Sequence, residues 1–410
     1  MDKAHSREAS GSGGLSQAKL TQINHGIYQF ANALSVIFVN LYLWRLTNDL
    51  WINGAFNLIT LISAPLATIY IGRIAKQKDR LLAYRMGIFL TALFYLMILV
   101  ARESMVDYYV LFALMKGVST AFYWLGHFTM IYDVTKSGSR HKYIGFNQII
   151  TNSAMLAGPA LAGILISRFD ALHGYTVIYS LAFALFLAAS LLSLKLKPAP
   201  MHHKTYYLRY TGLMVRKHPS YGRALAGWFV AGLPQGIMAY VPSIILYQAL
   251  PEESFVGYMN VGFTGLAVLS SYLLARKART EGTRTYLTQA ALGFVLSSLP
   301  LLWGLQLWTV VLFMAVYSWV KPLQGNAFTA HYYDLSSGLP LGGHYRIEAV
   351  VMRETAINMG RALGVLIFMM FSGPQAQAWM PWVLVAVMAS QLWIARLTDP
   401  PAAARVSAAG

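Results

Sequence analysis

The stretch KLKPAPMHHKTYYLRYTGLMVRKHPSYGR, Lys195–Arg223, decides how the chain divides. It is the longest basic, weakly apolar run away from the termini. Apolar sequence of similar length lies on either side. Read as a connecting segment, it splits the chain into two halves, each with room for six membrane-crossing helices.

Composition supports that reading. Of 410 residues, 57% are hydrophobic and 11% are charged. A soluble domain carries about 25% charged residues. The deficit runs the whole length, which argues for a polytopic membrane protein. The chain has no cysteine, which excludes disulfides and thiolate metal sites. Its net charge of +17 sits in short loops between apolar runs. That is the positive-inside pattern, and no nucleic-acid partner is needed to explain it. Residues 1–22 are polar, with Ser-Gly-Ser-Gly-Gly at Ser10–Gly14, and lack the apolar core of a signal peptide. They are expected to form a flexible cytoplasmic tail.

A spanning helix needs about 20 mostly apolar residues. Twelve windows qualify: 23–44, 51–72, 81–101, 106–132, 143–167, 172–194, 222–248, 254–275, 285–304, 306–332, 346–371 and 377–396. The runs do not alternate as strands of a β-barrel would. The expected fold is all-α: two pseudo-symmetric six-helix bundles around a central cavity. The domains are a 1–22 tail, halves 23–194 and 222–397, a 195–221 linker and a 398–410 tail.

Lys and Arg set the orientation. Arg73, Lys76, Lys78 and Arg80 follow span 2; Lys136, Arg140 and Lys142 follow span 4; Arg276, Lys277, Arg279 and Arg284 follow span 8. The connections on the other side hold Arg45 with Asp49, Arg102 with Glu103 and Asp107, Arg168 with Asp170, and then Glu252 and Glu253. Both termini, the linker and the even-numbered connections are therefore expected in the cytoplasm of a cell or inner membrane.

The halves echo each other. Phe128-Thr129 and Tyr132-Asp133 end span 4; Phe328-Thr329 and Tyr333-Asp334 end span 10. Gly158-Pro159-Ala160-Leu161 in span 5 answers Gly360-Arg361-Ala362-Leu363 in span 11. Matching positions point to duplication.

Polar groups at membrane depth normally face protein or a water-filled cavity. Spans 3, 6, 9 and 12 are almost purely apolar and suit lipid contact all round. Span 1 carries Asn24, His25, Gln29, Asn32 and Asn40. Span 4 carries Lys116, Thr120, Tyr123 and His127 at helical spacing, on one face. Span 7 carries Gln235 and Tyr240 beside Pro234 and Pro242; span 10 carries Lys321, Gln324, Asn326 and His331. Every third helix from the first is thus expected to line a cavity.

This pattern resembles the major facilitator superfamily over residues 23–397. The resemblance implies that spans 1, 4, 7 and 10 surround a substrate path and that transport proceeds by alternating access. Two motifs bear on it. The family's loop after the second helix reads G-x-L-A-D-R-x-G-R-K. Gly72-Arg73-Ile74-Ala75-Lys76-Gln77-Lys78-Asp79-Arg80 keeps its Gly, Ala and basic character. Lys76 stands where the family has its latching Asp, so the usual cytoplasmic latch lacks its carboxylate. The second motif resembles the antiporter signature G-x8-G-x3-G-P-x2-G-G, here Gly145, Ala154, Gly158, Pro159, Ala162 and Gly163. Its two departures keep a small residue. The motif implies export; a plain small-residue packing helix is the other reading.

Span 11 holds Arg353, Glu354, Asn358 and Arg361. Glu354, Asn358 and Arg361 share a face, with Glu354 about 12 Å into the helix and Arg361 near mid-membrane. Glu354 is the nearest acid to Arg361 in its own helix. Three roles are open: a structural ion pair, a proton-coupling carboxylate (Glu354, or Asp133 with Asp334 as gate residues), and substrate contact by Arg361, Lys116 and Lys321. The cavity is expected to be net positive, which suits an anionic or zwitterionic solute. His25, His127 and His331 are pH-responsive candidates, although polar histidines satisfied by hydrogen bonds are the favoured reading.

There is no P-loop and no hydrolase or metalloprotease motif. The expected protein is a monomeric, proton-coupled exporter without cofactor or metal. A proton-coupled uptake symporter and, more remotely, a membrane-embedded enzyme or receptor are the alternatives.

Overall fold

The computed structural model describes residues 16–77, 80–134, 140–169, 172–198, 205–277, 283–340, 345–371 and 377–398. Among them there is no strand. The spans are Gln17–Thr47, Leu50–Gln77, Arg80–Ala101, Tyr109–Val134, Arg140–Ile166 and His173–Ser193, then Glu253–Lys277 as span 8, Leu307–Ser337 as span 10 and Arg346–Met370 as span 11. Three are interrupted. Span 7 is Pro219–Met238 followed by Val241–Ala249; span 9 is Thr283–Ser298 with a 3-10 turn; span 12 is Met380–Ala389 followed by Leu392–Leu397.

Local chemistry places these ends. The Ser16 hydroxyl accepts from the Lys19 N–H and caps span 1. The first helix thus begins at Gln17, and Leu20 and Thr21 are buried, so residues 17–22 are part of the bundle and not of a flexible tail. Asn48, in the left-handed region, ends it. Asp49 then accepts from the Trp51 N–H and opens span 2. Span 7 breaks at Ala239–Tyr240 because Pro242, just past the break, cannot donate to the preceding turn.

Among the described residues, eight helices are long and apolar enough to cross a membrane by length and composition. Span 11 is not among them, since Arg353, Glu354 and Arg361 interrupt it. Protein neighbours surround it instead. It packs most closely on span 7 and also on span 2. Cβ atoms built on Gly232 and Gly236 would strike the backbone of Ile357 and Arg361; those on Gly360 and Gly364 would strike Phe229 and Leu233. Two glycine pairs, each at i, i+4, therefore bring the backbones of spans 7 and 11 together.

The duplication is visible in packing. Gly158 of span 5 lies against Ala33 and Leu34 of span 1, as Gly360 of span 11 lies against Phe229 and Gly232 of span 7. Spans 1–6 pack mainly with one another, and so do spans 7–12. The halves meet where span 5 crosses span 8 and where span 2 crosses span 11. Gly163 faces the Glu253 backbone, and Gly257 faces the Pro159 carbonyl. Spans 3 and 6 are less lipid-facing than their composition suggests. Each buries a stripe of tyrosines: Tyr84 and Tyr95, then Tyr175 and Tyr179.

The linker is docked. Leu208–Tyr210 is a 3-10 turn and Thr211–Lys217 a short helix. The Tyr206 hydroxyl donates to the Ile69 carbonyl of span 2, and a methyl group on Gly72 would lie 2.8 Å from it. The Tyr207 N–H donates to Glu348 Oε1 of span 11 at 2.8 Å, and the Thr211 and Tyr345 hydroxyls are 2.7 Å apart. Burial first, then the Glu348 carboxylate, raise the Tyr206 phenol pKa, so it stays a donor. Segment 205–211 therefore joins span 2 to span 11 on the linker side. The side chains of Lys76, Lys78 and Asp79 lie outside the described residues, as do those of Asp133 and Arg140, and Gly145 carries no described packing.

Candidate functional site

A cavity of about 280 Å³ opens between the halves. Span 2 contributes Ala64 and Thr68; span 4 contributes Thr120, Ala121, Trp124, Leu125 and Phe128; span 11 contributes Val350, Glu354, Asn358 and Arg361. These positions run from mid-span towards the linker side.

Arg361 is the centre of its polar wall. Its Nε and Nη2 donate to Gln235 Oε1 of span 7 at 3.2 and 2.7 Å. Its Nη1 donates to Asn358 Oδ1 at 3.1 Å. Asn358 is fixed in turn by donating to the Glu354 carbonyl. Both partners of the guanidinium are neutral amides, and no carboxylate of a described residue lies within ion-pair distance. This differs from the expectation that Glu354 would serve Arg361. Glu354 Oε1 instead takes Nε and Nη2 of Arg353, its neighbour in sequence, the shorter contact being 2.6 Å.

Arg353 ties three other helices to that pair. Its guanidinium lies 5.9 Å from the Phe128 ring of span 4, 5.5 Å from Trp228 of span 7 and 5.8 Å from Tyr333 of span 10. It also donates to the Tyr333 hydroxyl at 3.2 Å. Aromatic faces hold a cation without neutralising it.

The expected cavity residues fall into separate groups. Thr120 lines the cavity, but Tyr123 and His127 turn into the first half. His25 Nδ1 is 2.7 Å from the Tyr123 hydroxyl and its Nε2 is 3.2 Å from that of Thr151. The His25 and His127 rings stack with centroids 4.0 Å apart. Gln29 donates to the same Thr151. This buried cluster between spans 1, 4 and 5 sits behind Trp124, whose ring is edge-to-face with that of His25, centroids 6.5 Å apart. Asn32 is half-buried on span 1. Gln324 points away from the cavity and donates to Gln391 of span 12. Tyr240 is buried at the break of span 7, edge-on to Phe368. Lys116 lies 5.2 Å over the Phe56 ring and Lys321 6.0 Å over that of Tyr317. Neither lines this cavity. Asn326 and Asp334 are exposed. Gly72, Gly158, Pro159 and Gly163 sit at the crossings described above; Arg80 starts span 3.

Reading the sequence did not single out Trp124 and Phe128 as cavity walls. Nor did it join Arg45 to Glu253. Arg45 ends span 1 and Glu253 begins span 8, on the side away from the linker. Arg45 Nη1 is 2.6 Å from Glu253 Oε1, which also accepts from Tyr175 at 3.2 Å. The Tyr175 and Tyr247 rings flank the guanidinium. Gly54 of span 2 also packs on Met369 of span 11, so both contacts join the halves on that side.

A twelve-span bundle with a charged cavity between its halves is the architecture of a membrane transporter. Comparison agrees. The sequence profile of the Major Facilitator Superfamily matches residues 25–340, and the chain belongs to that family. The Bacillus subtilis protein YqgE, uncharacterized by name, is 28% identical over 350 residues, 84% of this chain and 80% of that protein. An uncharacterized protein of the sodM 3' region of Geobacillus stearothermophilus is 34% identical over 154 residues, 38% of this chain and 72% of that one. Among solved structures, nucleoside transporter NupG superposes with a TM-score of 0.68 at 13% identity, covering 93% of this chain and 98% of its own. The human organic anion transporter MFSD10 (TETRAN) superposes with 0.68 at 14% identity over the same shares. These likenesses establish the fold.

Proposed function

We propose that this protein is a secondary active transporter that exports a small anionic or zwitterionic solute in exchange for protons. One observation carries the solute class: Arg361 is a cation at membrane depth whose hydrogen-bond partners are both neutral. Such a charge is costly in a bilayer unless water or an anion meets it. The cavity supplies access for either. The solved organic anion transporter is consistent with this reading at the level of fold alone.

Glu354 is the favoured proton carrier, because it lines the same cavity and leans on Arg353 with one oxygen. Protonating it would loosen Arg353, which touches spans 4, 7 and 10. Asp133 and Asp334 are secondary candidates at the linker side. Gly158, Pro159 and Gly163, packed at the crossings of span 5, support the antiporter reading. The halves 23–194 and 222–397 would rock about those crossings, joined by the linker 195–221. The distribution of Lys and Arg supports cytoplasmic termini and linker in a cell membrane, and the protein would act as a monomer. Uptake by proton symport is the competing direction.

Purified protein in liposomes, without nucleotide, tests the class. Anions should compete for transport and a lipophilic cation should not. Strong competition by the cation, with none by anions, refutes it. An imposed pH gradient tests direction: accumulation only with inward protons on the solute's own side excludes export.

A further inference from the structure

The cavity has two unlike walls, and its second wall says more about the solute. Trp124 and Phe128 are one turn apart on span 4, and their rings stack at 5.4 Å with planes 28° apart. Together they present an aromatic surface along one side. Span 11 supplies the polar side through Glu354, Asn358 and Arg361. Ala64, Thr68 and Ala121, which also line the cavity, are small and leave room between the two walls. Pockets for drug-sized ligands measure about 300–1,000 Å³, so a cavity of about 280 Å³ suits a small solute of one ring or two fused rings.

The guanidinium is prepared for one more partner. Arginine has five N–H donors in a planar fork. Three are used on Gln235 and Asn358. The two that remain belong to Nη1 and Nη2, one on each, and a carboxylate takes two such donors side by side. Aromatic faces also attract cations. Here, however, Arg353 already lies 5.9 Å from the Phe128 ring, and Arg361 and Arg353 outnumber Glu354.

Resting on the reading of this cavity as the solute site, we infer that the solute is an aromatic carboxylate, its ring on Trp124 and Phe128 and its acid group on Arg361. An added aromatic contact contributes enough for about a three- to tenfold gain in affinity.

The test is binding to the full-length protein in nanodiscs by calorimetry, with three probes. They are 2-naphthoate, its fully saturated analogue decahydronaphthalene-2-carboxylate, and 2-naphthylmethylammonium. Naphthoate should bind about three- to tenfold more tightly than the saturated acid, and the ammonium should not bind. Trp124→Leu and Phe128→Leu should each lower that ratio towards one. Retained binding of the saturated acid reports that the variants are folded. Equal binding of the two acids by the native protein overturns the aromatic inference and leaves the anion site standing. Binding of the ammonium in preference to both acids overturns the two together. So does binding of no probe. A naphthoate preference that survives both leucine variants overturns the placement on span 4.

Discussion

Replacing Glu253 by glutamine removes the charge that joins the halves on the far side while keeping the side chain's shape. The glutamine still accepts from Tyr175. A hydrogen bond to a charged group contributes about 1.5–3 kcal/mol net, and breaking one side of a fully buried pair costs about 3–5 kcal/mol. This pair is not fully buried: the side chains are 26% and 9% exposed. The flanking rings of Tyr175 and Tyr247 continue to hold Arg45. A discounted figure of about 1–2 kcal/mol follows, or about a 5- to 30-fold larger far-side-open population. The chain has no cysteine, so a single introduced one is a unique reporter. Val256, fully buried one turn beyond Glu253, is the place for it. In Val256→Cys, a membrane-impermeant maleimide added from the far side should react faster by that factor once Glu253→Gln is present. Arg45→Gln should do the same, and combining them should add little, because both delete one interaction. An unchanged labelling rate in both single variants refutes the pair as a closure.

Other consequences are open to measurement. Glu348→Ala leaves the Tyr207 N–H without its acceptor, a loss of about 1–3 kcal/mol. Labelling of a cysteine at the buried Val351 from the linker side should then rise; no change would mean the linker does not fasten that junction. Gly360→Ala forces a methyl group onto the Phe229 carbonyl and should lower thermal stability by about 1–3 kcal/mol. Gly262→Ala meets open space and should be neutral or stabilising by up to about 1 kcal/mol. Equal melting of the two refutes the glycine contact between spans 7 and 11. Glu354→Gln should abolish the response of transport to a pH gradient while solute binding persists. Transport that still follows the gradient would assign Glu354 to structure.

The order and number of spans could be read from composition, because a bilayer allows only helices to cross and charges show where they stop. The break in span 7 was signalled by Pro242. Less could be read about partners. Helical spacing grouped Thr120, Tyr123 and His127 into one stripe. The cavity wall shares Thr120 with that stripe but adds Trp124 and Phe128, each turned about 100° from its sequence neighbour, Tyr123 or His127. A period fixes directions about one axis and not the neighbour found there. For the same reason Glu354 seemed the partner of Arg361, whereas Gln235, 126 positions distant, holds it. The 208-residue separation of Arg45 and Glu253 hid the far-side pair entirely.

Transport by purified protein in liposomes, with Arg361→Gln beside the native chain, addresses the central claim most directly. Both are supplied with a radiolabelled aromatic carboxylate and an imposed pH gradient, without nucleotide. The native protein should move the acid against its own gradient and opposite to the proton flow, and Arg361→Gln should not move it. Equal movement by Arg361→Gln, or movement of a lipophilic cation in place of the acid, would contradict the account.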